Sequence, residues 1–269
     1  ELITDDFDKI LEASDALYIA SHPTLHYKQI KKALKNGKHV ICESPVALSG
    51  EECDELYEIA GKSGLILMDA IKTAYSTAYA RMLLLIESGA IGKVVSVDAT
   101  CTSLRVNENG DPDYYKTNWN SSCDWGPNAI LPVFQLLGTK YKDIRIISSF
   151  ADEDKDYDLF SKFDFTYDSA VATVKVGKGV KSEGELVVSG TKGYVYVPAP
   201  WWKTDYFEIR YENPADKKRY FYQLNGEGIR YEIVAFIKAI ESGRVIDMIP
   251  REVSRAICEV VSSKNRIEI

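Results

Sequence analysis

Up to about Lys72, the apolar positions alternate between two spacings. Short apolar runs, ALYIA (Ala16–Ala20), HVIC (His39–Cys42) and LILM (Leu65–Met68), read as buried strands. Between them stand stripes at helical spacing: Phe7, Ile10 and Leu11; Tyr27, Ile30, Ala33 and Leu34; Cys53, Leu56, Ile59 and Ala60. Asn36-Gly37 is a helix stop, and Ser49-x-x-Glu52 is a capping box that starts the next helix. Strands separated by single helices predict parallel βαβ units.

Beyond Lys72 the pattern changes. A helix is expected over roughly Ala78–Glu87, stopped by Ser88-Gly89. Long alternating runs follow: Val94–Leu104, Ile144–Phe150, Phe163–Asp168, Ala170–Val176, Gly184–Gly190, Gly193–Val197 and Tyr206–Glu212. With glycine turns at Gly177–Gly179, Gly190 and Gly193, they predict a mostly antiparallel sheet. Ile229, Ile233, Phe236, Ile237 and Ile240 mark one closing helix, and Arg251–Ser262 a second. The polar stretch Arg105–Trp125 reads as a long loop, of the kind that serves as a lid or binding loop. The fold class is therefore α/β: a parallel-sheet segment, residues 1–72, followed by an α+β domain, residues 73–269, with a large, mostly antiparallel open sheet.

Composition narrows the function. The 269 residues are 45% hydrophobic and 27% charged, ordinary globular values. A net charge of −7 excludes nucleic acid as the main partner. No apolar run approaches the roughly 18 residues of a membrane span, and the acidic N-terminus lacks a signal-peptide core. Five cysteines (42, 53, 101, 123, 258) fit no zinc spacing and predict reduced thiols in the cytoplasm. Three histidines make a histidine-rich metal site unexpected.

Candidate chemistry sits where strands end. Ser21-His22-Pro23 follows ALYIA, and Glu43-Ser44-Pro45 follows HVIC. Parallel sheets bind ligands outside the carboxyl ends of their strands, so the two tails mark a rim of a small-molecule site. His22 either turns the chain at that site or is satisfied by backbone; His26 more often caps or packs at a helix start. Glu43 either faces a ligand or pairs with a neighbouring cation. No G-x-G-x-x-G phosphate loop occurs.

These residues carry a family resemblance. Ala20-Ser21-His22-Pro23-x-x-His26, Gly37-Lys38-His39-Val40-Ile41-Cys42-Glu43-Ser44-Pro45, Met68-Asp69-Ala70, Ile86–Val94 (IESGAIGKV) and Pro200-Trp201-Trp202 resemble the glucose–fructose oxidoreductase / inositol dehydrogenase family in order and spacing. The resemblance implies a Rossmann domain that binds NAD or NADP, followed by an α/β domain with an open sheet that is often an oligomer interface. It implies oxidation or reduction of a sugar-, cyclitol- or polyol-like small molecule. Cofactor contacts are expected from Ser21, His22, Pro23, His26, Glu43, Ser44 and Pro45, and substrate contacts from Asp124 and Asn128. Asp124 reads equally as a helix N-cap.

The chain departs from the family pattern. The strand, glycine-rich turn and βα unit with which members begin are not in it, so 1–72 corresponds to the C-terminal half of the Rossmann domain. The expectation is a piece of a longer protein whose isolated form binds dinucleotide weakly or not at all. The family's Glu-Lys-Pro is Glu43-Ser44-Pro45, and its Asp-x-Gly-x-His is Asp124-Trp125-Gly126-Pro127-Asn128. Neither Ser44 nor Asn128 titrates in the useful range. Lys72, Tyr75, Tyr114, Tyr115 and Lys116 are the candidates to handle the proton instead, Lys72 and Tyr115 foremost; the bland alternatives are a solvated lysine and self-packed loop aromatics. Two functions stay open: an oxidoreductase with atypical catalytic residues, and a non-catalytic binding or assembly protein. Self-association through an apolar face of the large sheet is expected.

Overall fold

The computed structural model describes residues 2–105, 107, 111, 114–151, 153–203, 205–244 and 248–269, and the Lys116 side chain lies outside the described set. Three short strands, β1 (Ala16–Ile19), β2 (His39–Glu43) and β3 (Leu67–Ala70), form a parallel sheet in that order. Helices α1 (Phe7–Ala13), α2 (Pro23–Lys35) and α3 (Gly50–Lys62) intervene as the two spacings predict. Ser49 caps α3 by accepting from Glu52 N. Ile30, Leu34, Val40, Leu56 and Leu67 form the core of this unit.

A 3₁₀ turn, Lys72–Tyr75, leads into α4 (Thr77–Glu87) and the long β4 (Val94–Thr102). A four-residue α5 (Tyr114–Thr117) and α6 (Ser121–Leu137) follow. The remaining strands are β5 (Asp143–Phe150), β6 (Asp158–Thr166), β7 (Val171–Gly177), β8 (Leu186–Gly190), β9 (Tyr194–Val197), β10 (Tyr206–Arg210), β11 (Lys218–Phe221) and β12 (Ile267–Glu268), with α7 (Ile229–Ser242) and α8 (Arg251–Val261) before the last. They build one nine-stranded sheet in the order β11-β10-β9-β8-β4-β7-β6-β5-β12. Its pairs are antiparallel except β4–β7 and β12–β5. The expected class, a small parallel sheet followed by a large, mostly antiparallel one, is the class observed.

The chain differs from the sequence-based expectation in three places. The long loop ends early: α6 begins at Ser121, capped by Asn120, and runs through Pro127 and Pro132. Burial of Ile130, Leu131, Val133 and Phe134 against the sheet outweighs the helix-breaking residues. Residues 106, 108–110, 112 and 113 of that stretch lie outside the described residues. Second, α7 is rotated: Glu232, Phe236 and Ala239 are buried while Ile229, Ile233 and Ile237 are exposed. Third, the outward face of the large sheet is not a bare apolar patch. Its middle carries Ser96, Asp98, Lys162, Asp164, Thr173 and Lys175, tied by Ser96–Asp98 (2.8 Å), Thr173–Asp164 (2.9 Å) and Lys162–Asp164 (3.1 Å) bonds.

A buried polar knot fixes the C-terminus. Arg266 Nη1 donates to Ser122 Oγ (2.9 Å), Ser161 Oγ (3.2 Å) and Ser148 Oγ (3.3 Å), and Nη2 to Val261 O (2.7 Å). Asp158, 1% exposed, lies 3.6 Å from the guanidinium and accepts from Ser122 and Ser161.

Candidate active site

The two strand tails lie side by side because β1 and β2 are in parallel register. His22 is the N-cap of α2, with Pro23 in its first turn; the imidazole accepts from Thr24 N, and Nε2 lies 3.4 Å from Asn118 O. Ser21 Oγ donates to Gln29 (2.6 Å). His26 is fully buried, its ring nitrogens 2.8 Å from Pro45 O and 2.7 Å from Ser21 O. It laces one tail to the other and keeps no polar atom for a ligand, which corrects its expected place among cofactor contacts. Burial lowers its pKa, against the pull of the two carbonyls toward the doubly protonated ring.

Ser44 is also interior. It is 6% exposed and lies beside Asp69, which is 1% exposed and accepts from Ser254 through Oδ2 (2.8 Å). Burial raises the Asp69 carboxyl to about 7, with Ser254 and Ser44 pulling it down and Glu43 adding to the rise.

Glu43, at the end of β2, faces the second domain. Tyr18 on β1 donates to its Oε1 at 2.6 Å and lies 3.0 Å from Glu232 Oε1 on α7. Burial raises the Glu43 carboxyl; Tyr18 and Lys72 oppose the rise and Asp124 adds to it. Lys72, the first residue of the 3₁₀ turn, is 3.9 Å from Glu227. The next residue, Thr73, has its hydroxyl 3.2 Å from Asn128 Oδ1 and 3.0 Å from Trp202 O. Lys72 and Asp124 both act on the charge of Glu43, and Asn128 is tied to Thr73, the neighbour of Lys72, so β2, the 3₁₀ turn and α6 bring the four into one neighbourhood.

Asp124 lies in the first turn of α6 rather than at its cap. It pairs with Lys178 (3.0 Å) and more distantly with Arg105 (3.9 Å). Lys178, 4% exposed, also donates to Trp119 O at 2.6 Å. Sequence reasoning missed this buried cation, because Gly177-Lys178-Gly179 has the composition of a hairpin turn.

His22, Pro23 and Tyr115 belong to a different space. They line a cavity of about 790 Å³ with Asn118, Trp119 and Tyr157, and none of Glu43, Lys72, Asp124 or Asn128 borders it. The Tyr115 ring packs on Tyr157 (4.8 Å) and Tyr114 (5.4 Å). The cavity therefore takes in His22, Pro23 and Tyr115 of the expected site residues and leaves out Glu43, Lys72, Asp124 and Asn128. The large cavity is itself lined by Asp154, Lys155, Asp156, Lys264, Arg266 and Glu268 beside its tyrosines, so charged side chains stand both there and around Glu43.

For a dinucleotide, the half-exposed Ser21, His22 and Glu43 suit the nicotinamide end of a parallel-sheet site, while no glycine-rich phosphate turn exists in the sequence. Among the described residues no cluster of three histidine, cysteine or acidic side chains is placed to hold a metal, and no helix is long and apolar enough to cross a membrane.

Known proteins resemble this chain in sequence and in fold. Residues 3–70 match the model described as "Oxidoreductase family, NAD-binding Rossmann fold" (GFO_IDH_MocA). A scyllo-inositol 2-dehydrogenase (NADP(+)) of Bacillus subtilis is 43% identical over 61 residues, 23% of this chain and 19% of that protein. A dTDP-3,4-didehydro-2,6-dideoxy-alpha-D-glucose 3-reductase of Actinomadura kijaniata is 30% identical over 119 residues, 44% of this chain and 33% of that protein. The matched region spans well under two thirds of these relatives' own length. In structure, a 3-ketoreductase from Actinomadura kijaniata in complex with NADP and TDP-benzene superposes with a TM-score of 0.85 at 18% identity, covering 99% of this chain and 83% of that one. A levoglucosan dehydrogenase in complex with NADH and levoglucosan gives 0.81 at 20% identity, covering 96% and 79%. At these identities the superpositions establish the fold.

Proposed function

From a chain that belongs to the glucose–fructose oxidoreductase / inositol dehydrogenase (Gfo/Idh/MocA) family, we propose an NAD(P)-dependent oxidoreductase that acts on a hydroxyl or carbonyl of a sugar-, cyclitol- or polyol-like substrate. Residues 1–72 serve as the C-terminal half of the dinucleotide domain and residues 73–269 as the substrate and oligomerisation domain. The observation that supports this reading is that Glu43, at the carboxyl end of β2 where such a domain binds its ligand, feels the charges of Lys72 and Asp124.

When bound, the nicotinamide ring gives or takes the hydride. The chain's own residues do the rest. Ser21, His22, Pro23, Glu43, Ser44 and Pro45 form the rim against the ring. Asp124, held by Lys178, and Asn128, held by Thr73, orient substrate hydroxyls. Lys72 supplies positive charge and a proton at the reacting oxygen, the work that Ser44 cannot do. Tyr115 flanks the site from the neighbouring cavity and is the second candidate for proton handling.

In the intact protein, Lys72→Ala tests the reading: kcat should fall by about 10²–10⁴ while NAD(P)H binding by fluorescence titration is unchanged. An unaltered kcat removes Lys72 from the mechanism. The non-titrating Ser44 and Asn128 favour a second reading, a non-catalytic binding or assembly protein; it predicts tight NAD(P)H binding with no hydride transfer to any sugar or polyol offered. Self-association is proposed through the outward face of the large sheet, as a polar, hydrogen-bonding contact edged by Tyr194 and Tyr196. The five buried free thiols support a cytoplasmic setting.

A further inference from the structure

Glu232 lies on α7, outside every motif of the sequence, and is 1% exposed. Its Oε1 is 3.0 Å from the Tyr18 hydroxyl and its Oε2 has no hydrogen-bond partner. The same hydroxyl is 2.6 Å from Glu43 Oε1. A phenol has one proton and donates to one acceptor. The shorter contact takes it, so Tyr18 donates to Glu43. The contact with Glu232 is then a hydrogen bond only if Glu232 carries a proton and donates it to the phenol oxygen.

The surroundings agree. The groups acting on this pair are Tyr18 from β1, Glu43 from β2, Asp69 from β3, Lys72 from the 3₁₀ turn and Asp124 from α6. Lys72 is the one cation among them, and its described ion pair is with Glu227. Among the described residues none of the ion pairs includes Glu232. Burial first, and the charge of Glu43 second, raise the Glu232 carboxyl to about 8; Tyr18 and Lys72 pull it down and Asp69 pushes it up. Burial and both glutamates push the Tyr18 phenol far above its usual range, so it stays protonated.

We propose that Glu232, Tyr18 and Glu43 form a proton relay, in which two carboxylates share one proton and deliver it from the buried side of α7 to the rim at the end of β2. The proposal rests on the reading of that rim as the active site and deepens it by naming what reloads Glu43. In the loaded state the Glu232 carboxylic acid donates to Tyr18, and Tyr18 donates to the Glu43 carboxylate. Discharge moves two protons in one direction. The Glu232 O–H bond breaks as a new O–H forms at the phenol oxygen; the old phenol O–H breaks as one forms at Glu43. Glu232 is left as the carboxylate and Glu43 as the acid, with the pair's total charge unchanged. Glu43 then holds the proton at the rim as the reserve from which Lys72 is reprotonated after giving its own to the substrate; uptake of a solvent proton at Glu43, followed by the reverse of the two transfers, reloads Glu232. Glu232 and Tyr18 act through Glu43 and are positioning residues.

The test reads protons directly. Infrared spectroscopy of the protein at pH 7 should show the C=O band of a protonated carboxylic acid that is lost in Glu232→Gln. Glutamine keeps an N–H donor toward Tyr18 and mimics the protonated acid, so the variant should fold. In ¹³C-carboxyl-glutamate spectra of the unsubstituted protein, two glutamates should titrate as a coupled pair, one of them above pH 7. Glu232→Gln should return Glu43 to a single, lower titration, and Tyr18→Phe should break the coupling while leaving both carboxyls. An infrared spectrum at pH 7 unchanged by Glu232→Gln, or a Glu43 titration indifferent to both substitutions, overturns the relay. If the protein turns over, the alkaline limb of its kcat profile should vanish in Glu232→Gln. A protein inactive on all sugars and polyols would overturn the active-site reading, while the spectra still decide where the proton resides.

Discussion

Glu208 on the outward face of the large sheet and Glu232 against the small one are equally hidden from water, at 3% and 1% exposure. Their surroundings differ. Around Glu208 stand Arg210 (2.5 Å), Arg219 (3.0 Å) and Lys217 (3.6 Å), and Tyr206 donates a hydrogen bond to it. Burial alone would raise its carboxyl; hydrogen bonds from Tyr206 and Arg210 and the charges of Arg210 and Lys217 outweigh burial and lower it to about 2. Glu232 meets a phenol and a second carboxylate, and burial raises it to about 8. Glu208 is covered by the side chains of its own partners at the sheet surface, whereas Glu232 is packed deep against the small sheet; one is an anion and the other an acid. Depth and partners decide together. The large sheet spends its buried carboxylates on cations, as Asp158 does with Arg266, whereas the strand ends of the small sheet keep Glu43, Asp69 and Glu232 near titration.

The largest test of this contrast is Arg266→Met. It strands Asp158 in the core and should cost about 3–5 kcal/mol in urea denaturation. A cost below about 1 kcal/mol would mean that the large sheet does not depend on compensated charge. Next, Glu208→Gln should cost about 1–3 kcal/mol at pH 7. Its folded pKa lies below the unfolded value, so the stabilisation is present above pH of about 4.5 and is lost as the pH falls toward 2. The variant should therefore converge on the unsubstituted protein in acid.

The strand-end cluster should behave with the opposite sign. The folded carboxyls of Glu232 and Asp69 are raised, to about 8 and about 7, so their contribution is full below pH of about 4 and is lost as the pH rises through those values. Each group should add a slope of up to about 1.4 kcal/mol per pH unit. Glu232→Gln should match the unsubstituted protein within about 0.5 kcal/mol at pH 5 and exceed it at pH 9. Equal slopes in both proteins would erase the distinction between the two regions. The smallest effect is expected from Lys72→Ala, whose long, partly exposed pair with Glu227 should be worth no more than about 0.5 kcal/mol. A shift in the urea midpoint beyond that would give Lys72 a structural role in place of a chemical one.

Much of the fold is legible because buried parallel strands leave compact apolar runs: ALYIA and HVIC became β1 and β2, and LILM runs into β3, which lies two residues further on, at Leu67–Ala70. Helix α6 was hidden by Gly126, Pro127 and Pro132, which punctuate loops in most sequences. Gly126 serves a close approach instead: a Cβ there would lie 2.8 Å from Val261 Cγ1 on α8. Of the candidate site, the tails at Ser21 and Glu43 follow from where strands end. The rest depends on contacts distant in sequence. Lys178 meets Asp124 only after β7 is in place, and Glu232 sits on a helix whose isoleucines suggested another buried side. His26 shows the converse. Its motif points to a ligand, yet its ring nitrogens are spent on Pro45 and Ser21.

The place of β4 has a consequence for how the molecule is assembled. Strands β5 to β7 and β8 to β11 are two runs of antiparallel neighbours, each able to zip through local turns. Yet β7 and β8, consecutive in sequence, do not touch: β4 stands between them, parallel to one and antiparallel to the other. The two meanders become one sheet only when a strand synthesised before both is inserted at their inner edges. That closure is long-range and entropically costly, so it governs the folding rate. Until it happens, each meander presents an open backbone edge, and crowding of folding chains at that moment is the route by which this protein would aggregate.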